Sequence, residues 1–147
     1  MEPAVKLAII SSGIFFLAGL LTGVWKYVLI GRSPNAEAPV YVDICHRTAL
    51  MYSFACLVLV QFAELSVWSS TVNFWATLLP IVFFALAVTS YAVHGWLRDT
   101  DNQFRRPHVL GSFTIPHALT VLFMWMLVAA EVGGFVVLLI GGIKGLD

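Results

Sequence analysis

The chain has 147 residues, of which 60% are hydrophobic and only 11% are charged. Soluble globular domains carry about 25% charged residues and about 45–50% apolar ones, so the composition excludes an ordinary soluble domain. The eight basic and eight acidic residues cancel, which leaves no basic field for binding nucleic acid. Because the length fits one domain, we expect residues 1–147 to form a single transmembrane domain whose partner is the lipid bilayer.

Four apolar segments approach the length of about 20 residues that a transmembrane helix needs. The predicted spans cover residues 6–30, 44–67, 74–97 and 116–143. Polar stretches separate the first span from the second and the third from the fourth, whereas a very short link joins the second to the third. The expected fold class is therefore all-α, a polytopic membrane four-helix bundle.

Basic residues are unevenly distributed between the two ends of the predicted bundle. The end with the two long connections carries five arginines, whereas the opposite end has only Lys6 and Lys144. The positive-inside rule then places loops 31–43 and 98–115 in the cytoplasm and both termini outside, and we expect a protein of the bacterial inner membrane. The arginines are Arg32, Arg47, Arg98, Arg105 and Arg106.

Polar side chains within a spanning helix are expected to face a partner, a cavity or a ligand. Ser90, Tyr91 and His94 share a face near the cytoplasmic end of the third span. The second and fourth spans each carry a polar stripe at helical spacing, so the sequence predicts a bundle with a polar interior. The second-span stripe consists of His46, Ser53, Gln61 and Glu64, and the fourth-span stripe of His117, Thr120, Met124 and Glu131.

All four histidines lie on the predicted cytoplasmic side. Imidazole is a good ligand for haem iron and other transition metals, and a helical bundle can hold a cofactor between its helices. We therefore treat His46, His94 and His117 as candidate haem or metal ligands, with His46 ranked first as the metal ligand. The alternative is that they are ordinary interfacial histidines. His108, in the loop, and the charged stretch around Asp99 are interpreted as solvated.

Two carboxylates and two tyrosines each admit a functional and a structural interpretation. Glu131 lies near the middle of the fourth span, where a carboxyl group is costly and usually functional. Its structural alternative is a protonated side chain hydrogen-bonded to a neighbour such as Gln61. Glu64 lies nearer the outer end and is either functional or solvated. Tyr52 and Tyr91 either direct their phenols into the bundle or pack against apolar neighbours.

The first span contains Gly13-Ile14-Phe15-Phe16-Leu17 and Leu20-Leu21-Thr22-Gly23-Val24, and His46 begins the second span. In these features the chain resembles the small four-span membrane isomerases, namely styrene oxide isomerase and the similar hydroxylaminobenzene mutases. The resemblance implies a homo-oligomer, a trimer, with haem b held at subunit interfaces by His46. The chain departs from the family where an asparagine and a glycine follow this histidine, because it has Met51-Tyr52-Ser53 there. Tyr52 would take the place of the asparagine over the iron, and Tyr91 is a loose match to the family's third-span tyrosine near the substrate.

The first functional hypothesis is a haem-b membrane isomerase with His46 as axial ligand. Ferric iron would act as a Lewis acid on the oxygen of a small apolar, epoxide-like substrate, and an apolar bundle would keep water from the intermediate. Tyr52 and Tyr91 are the candidate catalytic residues in this hypothesis.

Two alternatives belong to other functional classes. A b-type cytochrome or quinone-linked electron-transfer subunit would need two histidines on one haem, such as His94 with His117 or His46. Glu131 and Glu64 would then suit proton movement. The second alternative is a non-catalytic accessory subunit of a larger membrane complex.

Overall fold

The computed structural model describes residues 1–146 as four long helices and one short β-hairpin between the last two. All four helices are long and apolar enough to cross a membrane, so the all-α four-helix prediction and the assignment to a membrane are confirmed. The hairpin was not expected from the sequence. The elements are α1 (Pro3–Arg32), α2 (Val40–Leu65), α3 (Ser70–Leu97), β1 (His108–Leu110), β2 (Phe113–Ile115) and α4 (His117–Lys144).

Local capping explains where two of the helices begin and end. The Glu2 carboxylate accepts the backbone N–H of Val5 at 3.2 Å, and the Ser69 hydroxyl caps α3 in the same way; a side-chain oxygen at this position satisfies an otherwise free helix N–H. At its other end α3 stops at Arg98, whose left-handed conformation (φ 51°) turns the chain back towards the helix. The residues that follow Arg98 therefore fold over the last turn of α3.

Close contact between α1 and α2 depends on small residues of α1. A Cβ atom on Gly19 would lie 2.5 Å from Leu50, and one on Gly23 would lie 2.9 Å from the ring of His46. A larger residue at either position would require the facing side chain of α2 to move, as expected for small residues at helix interfaces in membranes. The glycine pair on the first span thus allows the close approach of α2.

The predicted polar stripe of α2 faces inward only in part. Ser53 is buried, and its carbonyl accepts a hydrogen bond from the Ser12 hydroxyl at 2.9 Å. Gln61 and Glu64 are instead exposed, so the inward prediction is wrong for them. The antiparallel alignment that places Ser12 beside Ser53 puts Glu64 level with the start of α1, where that helix offers nothing to cover it.

The fourth helix packs closely over one half of its length only. Every buried residue of α4 lies between Ala130 and Gly142. A Cβ atom on Gly134 would lie 2.7 Å from both the Ala76 carbonyl oxygen and the Pro80 ring, and one on Gly142 would lie 2.7 Å from Phe62. Residues 117–129 include large side chains and none is buried. The glycines thus fix one half of α4 tightly, and the other half forms the wall of a cavity.

The hairpin closes the end of the bundle that carries the connections 33–39 and 98–116, which we call the loop end. Its strands pair antiparallel, with His108 opposite Ile115 and Leu110 opposite Phe113. Gly111 provides the positive φ (59°) that the turn between them requires. The hairpin therefore lies between the end of α3 and the start of α4.

Candidate functional site

A cavity of about 540 Å³ lies at the loop end, between α3, the loosely packed half of α4 and the hairpin. Its lining is mainly apolar, and its polar groups come mostly from α3 and the loop, which is the usual composition of a small-molecule site. The apolar lining includes Leu86, Leu119, Phe123, Met124 and Leu127. The polar lining includes Tyr52, Ser90, Tyr91, His94, Gln103, His108 and Thr120.

His94 and Asp99 form a buried pair at the edge of this cavity. The His94 Nδ1 atom lies 2.8 Å from the Asp99 carboxylate, and the two side chains are 5% and 6% exposed. A carboxylate can only accept, so Nδ1 of His94 carries a proton and Nε2 is the free nitrogen. His94 lines the cavity, whereas Asp99 does not.

Asp99 also holds the hairpin in place. Its second carboxylate oxygen accepts the backbone N–H of Gly111 at 2.6 Å. Burial alone would raise the pKa of Asp99, but the hydrogen bonds from Gly111 and His94 outweigh it, and its pKa lies below the ordinary value. The prediction that this residue is solvated is therefore wrong, because the turn at Arg98 brings it back over the end of α3.

A chain of hydrogen bonds ties the hairpin to α4. Arg106 donates to Nε2 of His117, whose Nδ1 lies 3.0 Å from Nε2 of His108; Nδ1 of His108 lies 3.0 Å from the Gln103 carbonyl. A guanidinium only donates and a carbonyl only accepts. Both histidines therefore carry the proton on Nδ1. Each group in the series donates to the next, from Arg106 to the Gln103 carbonyl.

This arrangement changes two interpretations made from the sequence. His108 is 5% exposed, so its assignment as a solvated residue is wrong; strand β1 turns it inward. His117 has hydrogen-bond partners on both ring nitrogens. Neither nitrogen is therefore free to bind a metal while these hydrogen bonds are formed. The contacts of His108 depend on the hairpin, which the sequence pattern does not indicate.

Tyr52 and Tyr91 both line the cavity. Tyr91 lies one helical turn before His94, so the two side chains share a face, and it stacks on Tyr41 with ring centroids 5.9 Å apart. Tyr52 stacks on Phe84 at 4.0 Å. Within residues 1–146 neither hydroxyl has a hydrogen-bond partner. Each phenol therefore combines a packed ring with a free donor at the cavity.

Tyr41 supports this site from behind. Its ring lies 5.1 Å from that of His94, and its hydroxyl accepts the backbone N–H of Gln103 at 2.6 Å. Neither Tyr41 nor Gln103 was a candidate from sequence. The sequence offers one signal for these contacts: the polar residues after α3 follow His94 by only a few positions. A helix that ends in a left-handed residue returns the chain over its own last turn.

Glu131 lies one helical turn beyond the cavity residue Leu127. One of its carboxyl oxygens is buried and makes no hydrogen bond to any described residue. The structural alternative, a hydrogen bond to a neighbour such as Gln61, is not formed with that residue, because Gln61 is exposed on α2. Glu131 is thus a polar group without a protein partner near the inner end of the cavity.

His46 belongs to a different part of the molecule. Its Nδ1 lies 2.8 Å from the Gly19 carbonyl of α1, so Nδ1 donates and Nε2 is left free. His46 does not line the α3–α4 cavity. The structure thus does not bring His46, His94 and His117 together, and residues 1–146 contain no group of three or more His, Cys, Asp or Glu side chains arranged to hold a metal ion.

No family model, curated protein or solved structure matches the chain.

Proposed function

We propose that this protein is an integral membrane enzyme that binds a small, mainly apolar substrate between α3 and α4 and isomerises it by proton transfer. The observation that carries this proposal is the buried Asp99–His94 pair beside the cavity. A carboxylate that orients an imidazole and stabilises its protonated form is a recurrent arrangement for general acid–base catalysis.

The proposed reaction needs only one base and one hydrogen-bond donor. The substrate is a carbonyl compound with a double bond between its β and γ carbons. Nε2 of His94 takes a proton from the α carbon, the electron pair of that C–H bond forms a double bond to the carbonyl carbon, and the carbonyl π electrons move onto oxygen. The Tyr91 hydroxyl donates a hydrogen bond to the developing enolate oxygen. The imidazolium, stabilised by Asp99, then returns the proton to the γ carbon, and the enolate electrons re-form the carbonyl group. The double bond has moved from the β,γ to the α,β position, and no oxidant or reductant is consumed.

The surroundings of His94 support this role. The mainly apolar lining of the cavity would limit contact between water and the charged intermediate, and the Asp99 contact keeps the imidazole in one tautomer. Positioned proton transfer of this type contributes about 10² to 10⁴ in rate. Tyr52, the second unpartnered phenol, is assigned to binding the same substrate oxygen.

A second candidate is the haem-b isomerase expected from the family resemblance. The observation that favours it is the hydrogen bond from His46 to Gly19, which fixes the tautomer and leaves Nε2 free, as in histidines that bind metals. When bound there, haem would supply Lewis-acid iron that polarises an epoxide oxygen. Tyr52 and Tyr91 line a cavity that His46 does not reach, so this candidate assigns them no step.

Two variants distinguish these candidates. Purified protein in lipid nanodiscs is assayed with 3-cyclohexenone, whose conversion to the conjugated ketone is followed by ultraviolet absorbance, and with styrene oxide. Loss of ketone isomerisation in His94→Gln but not in His46→Ala supports proton transfer. A haem absorption band and epoxide rearrangement that both disappear in His46→Ala support the second candidate. A colourless protein inactive on both substrates contradicts both and favours an accessory subunit.

A further inference from the structure

We infer that the ligand of the α3–α4 cavity is an uncharged amphiphile dissolved in the membrane, and that it reaches the cavity sideways from the bilayer. The inference rests on the proposed function only in taking this cavity as the ligand site. Three independent features carry it: the absence of charge in the lining, the order of its polar and apolar parts, and its exposed flank.

The lining contains no charged side chain. None of its nineteen residues is Asp, Glu, Lys or Arg. Two carboxyl groups lie near the cavity, Asp99 and Glu131, and neither belongs to its lining. Both oxygens of Asp99 are engaged by His94 and Gly111. Arg106 donates to His117 outside the lining. A charged ligand would lose its hydration without gaining a counter-ion, which is strongly unfavourable. The polar end of the ligand is therefore neutral, such as a hydroxyl or a carbonyl group.

Most of the polar side chains of the lining lie at the loop end of the cavity, and Tyr52 is the exception deeper in the bundle. His94, Gln103 and His108 lie at the loop end, where α3 finishes and the interfacial region of the membrane begins. Phe123 and Leu127 lie further along α4, towards the middle of the span. An amphiphile would keep its head near the interface and its chain in the apolar region, so it would enter the cavity without turning over.

The flank of the cavity is open towards lipid. Leu86 and Val93 of α3 and Leu119 of α4 line the cavity, yet they are 44%, 37% and 56% exposed. They lie where α4 is loosely packed. On the loop side the hairpin lies over part of the cavity and is held in place through Asp99 and His108, although Phe104 and Leu110 of the lining are 52% and 37% exposed there. The exposed flank formed by α3 and α4 therefore offers a route from the bilayer.

The ligand class is tested with three photoreactive probes that share one twelve-carbon diazirine chain and differ in their heads: hydroxyl, carboxylate and trimethylammonium. Each is added to nanodiscs that contain the wild-type protein, and crosslinks are mapped by mass spectrometry. The alcohol is expected to label the segment 119–127, and the charged probes to label it about tenfold less, a difference of about 1.4 kcal/mol. Equal labelling by all three overturns the inference and leaves the site itself standing. No labelling by any probe removes the proposed site as well.

The route is tested by narrowing the flank. Val93→Trp places a large ring at the flank, and Val82→Trp places the same ring on an exposed position of α3 that does not line the cavity. Lateral access predicts that Val93→Trp slows capture of the alcohol several-fold while prolonged incubation reaches the wild-type extent, and that Val82→Trp changes neither. An unchanged rate in Val93→Trp contradicts lateral access.

Discussion

Nδ1 of His117 donates to Nε2 of His108 over 3.0 Å, and the direction of this hydrogen bond is imposed from both ends. At one end Arg106 can only donate, and at the other the Gln103 carbonyl can only accept. An additional proton on either ring would set a donor against a donor. The two neighbouring groups therefore fix which ring nitrogen of each histidine donates.

Replacing His117 by Phe should loosen the hairpin. The variant keeps an aromatic ring but removes both hydrogen bonds, each of which contributes about 1 kcal/mol. We expect amide hydrogen exchange in residues 108–115 to become about fivefold faster or more, because local opening becomes easier. Leu122→Phe, at an exposed position of the same helix, serves as the control. Unchanged exchange in His117→Phe would show that the histidine pair does not hold the hairpin.

Because of Asp99, the hairpin should lose stability at acidic pH. Because its pKa is lowered in the folded protein, its contribution is fully present above the unfolded-state value of about 3.9 and is lost as the pH falls through the folded-state value. Asp99→Asn should cost about 2 kcal/mol of hairpin stability at neutral pH and remove this dependence. Hydrogen exchange at Gly111 measures both.

Asp101→Asn provides the matched control for this prediction. Asp101 pairs with Arg105, and both side chains are largely exposed, so the pair contributes about 0–1 kcal/mol. Equal effects of the two substitutions would mean that burial of Asp99 does not matter to the hairpin.

Two adjacent glycines of α4 should respond oppositely to alanine. A Cβ atom at Gly134 would clash with the Ala76 carbonyl and the Pro80 ring, neither of which can turn away, whereas a Cβ atom at Gly133 meets nothing within 4 Å. Gly134→Ala should lower the free energy of unfolding by about 1–3 kcal/mol. Gly133→Ala should leave it unchanged or raise it slightly. Unfolding in mixed micelles with increasing dodecyl sulfate compares the two, and equal stability would contradict close packing at Gly134.

Filling the cavity should block the ligand without unfolding the protein. Thr120 lines the cavity from α4, and its neighbour Val121 faces outward. Thr120→Phe should reduce capture of the uncharged probe about tenfold, because the added ring occupies the space of the ligand chain. Val121→Phe should have no effect. Similar capture by both variants would show that the probe binds elsewhere.

Hydropathy and length alone determine that the chain forms four membrane helices. An apolar run of about 20 residues has few stable alternatives to a spanning helix, because every backbone polar group must be satisfied within the membrane. Periodicity also placed Tyr91 and His94 on one face of α3. Both features are set by residues that lie within a few helical turns of one another, so the sequence is sufficient to predict them.

Contacts between the helices and the hairpin determine which polar residues are buried and where the cavity forms. Asp99 and His108 look like loop residues until the turn at Arg98 and the hairpin bury them beside His94 and His117. Glu64 shares the face of His46 but lies beyond the cover of α1. The cavity exists because glycines hold only one half of α4 against α3, a difference that hydropathy does not register. Burial and hydrogen bonding depend on which surfaces meet, and only the tertiary structure specifies that.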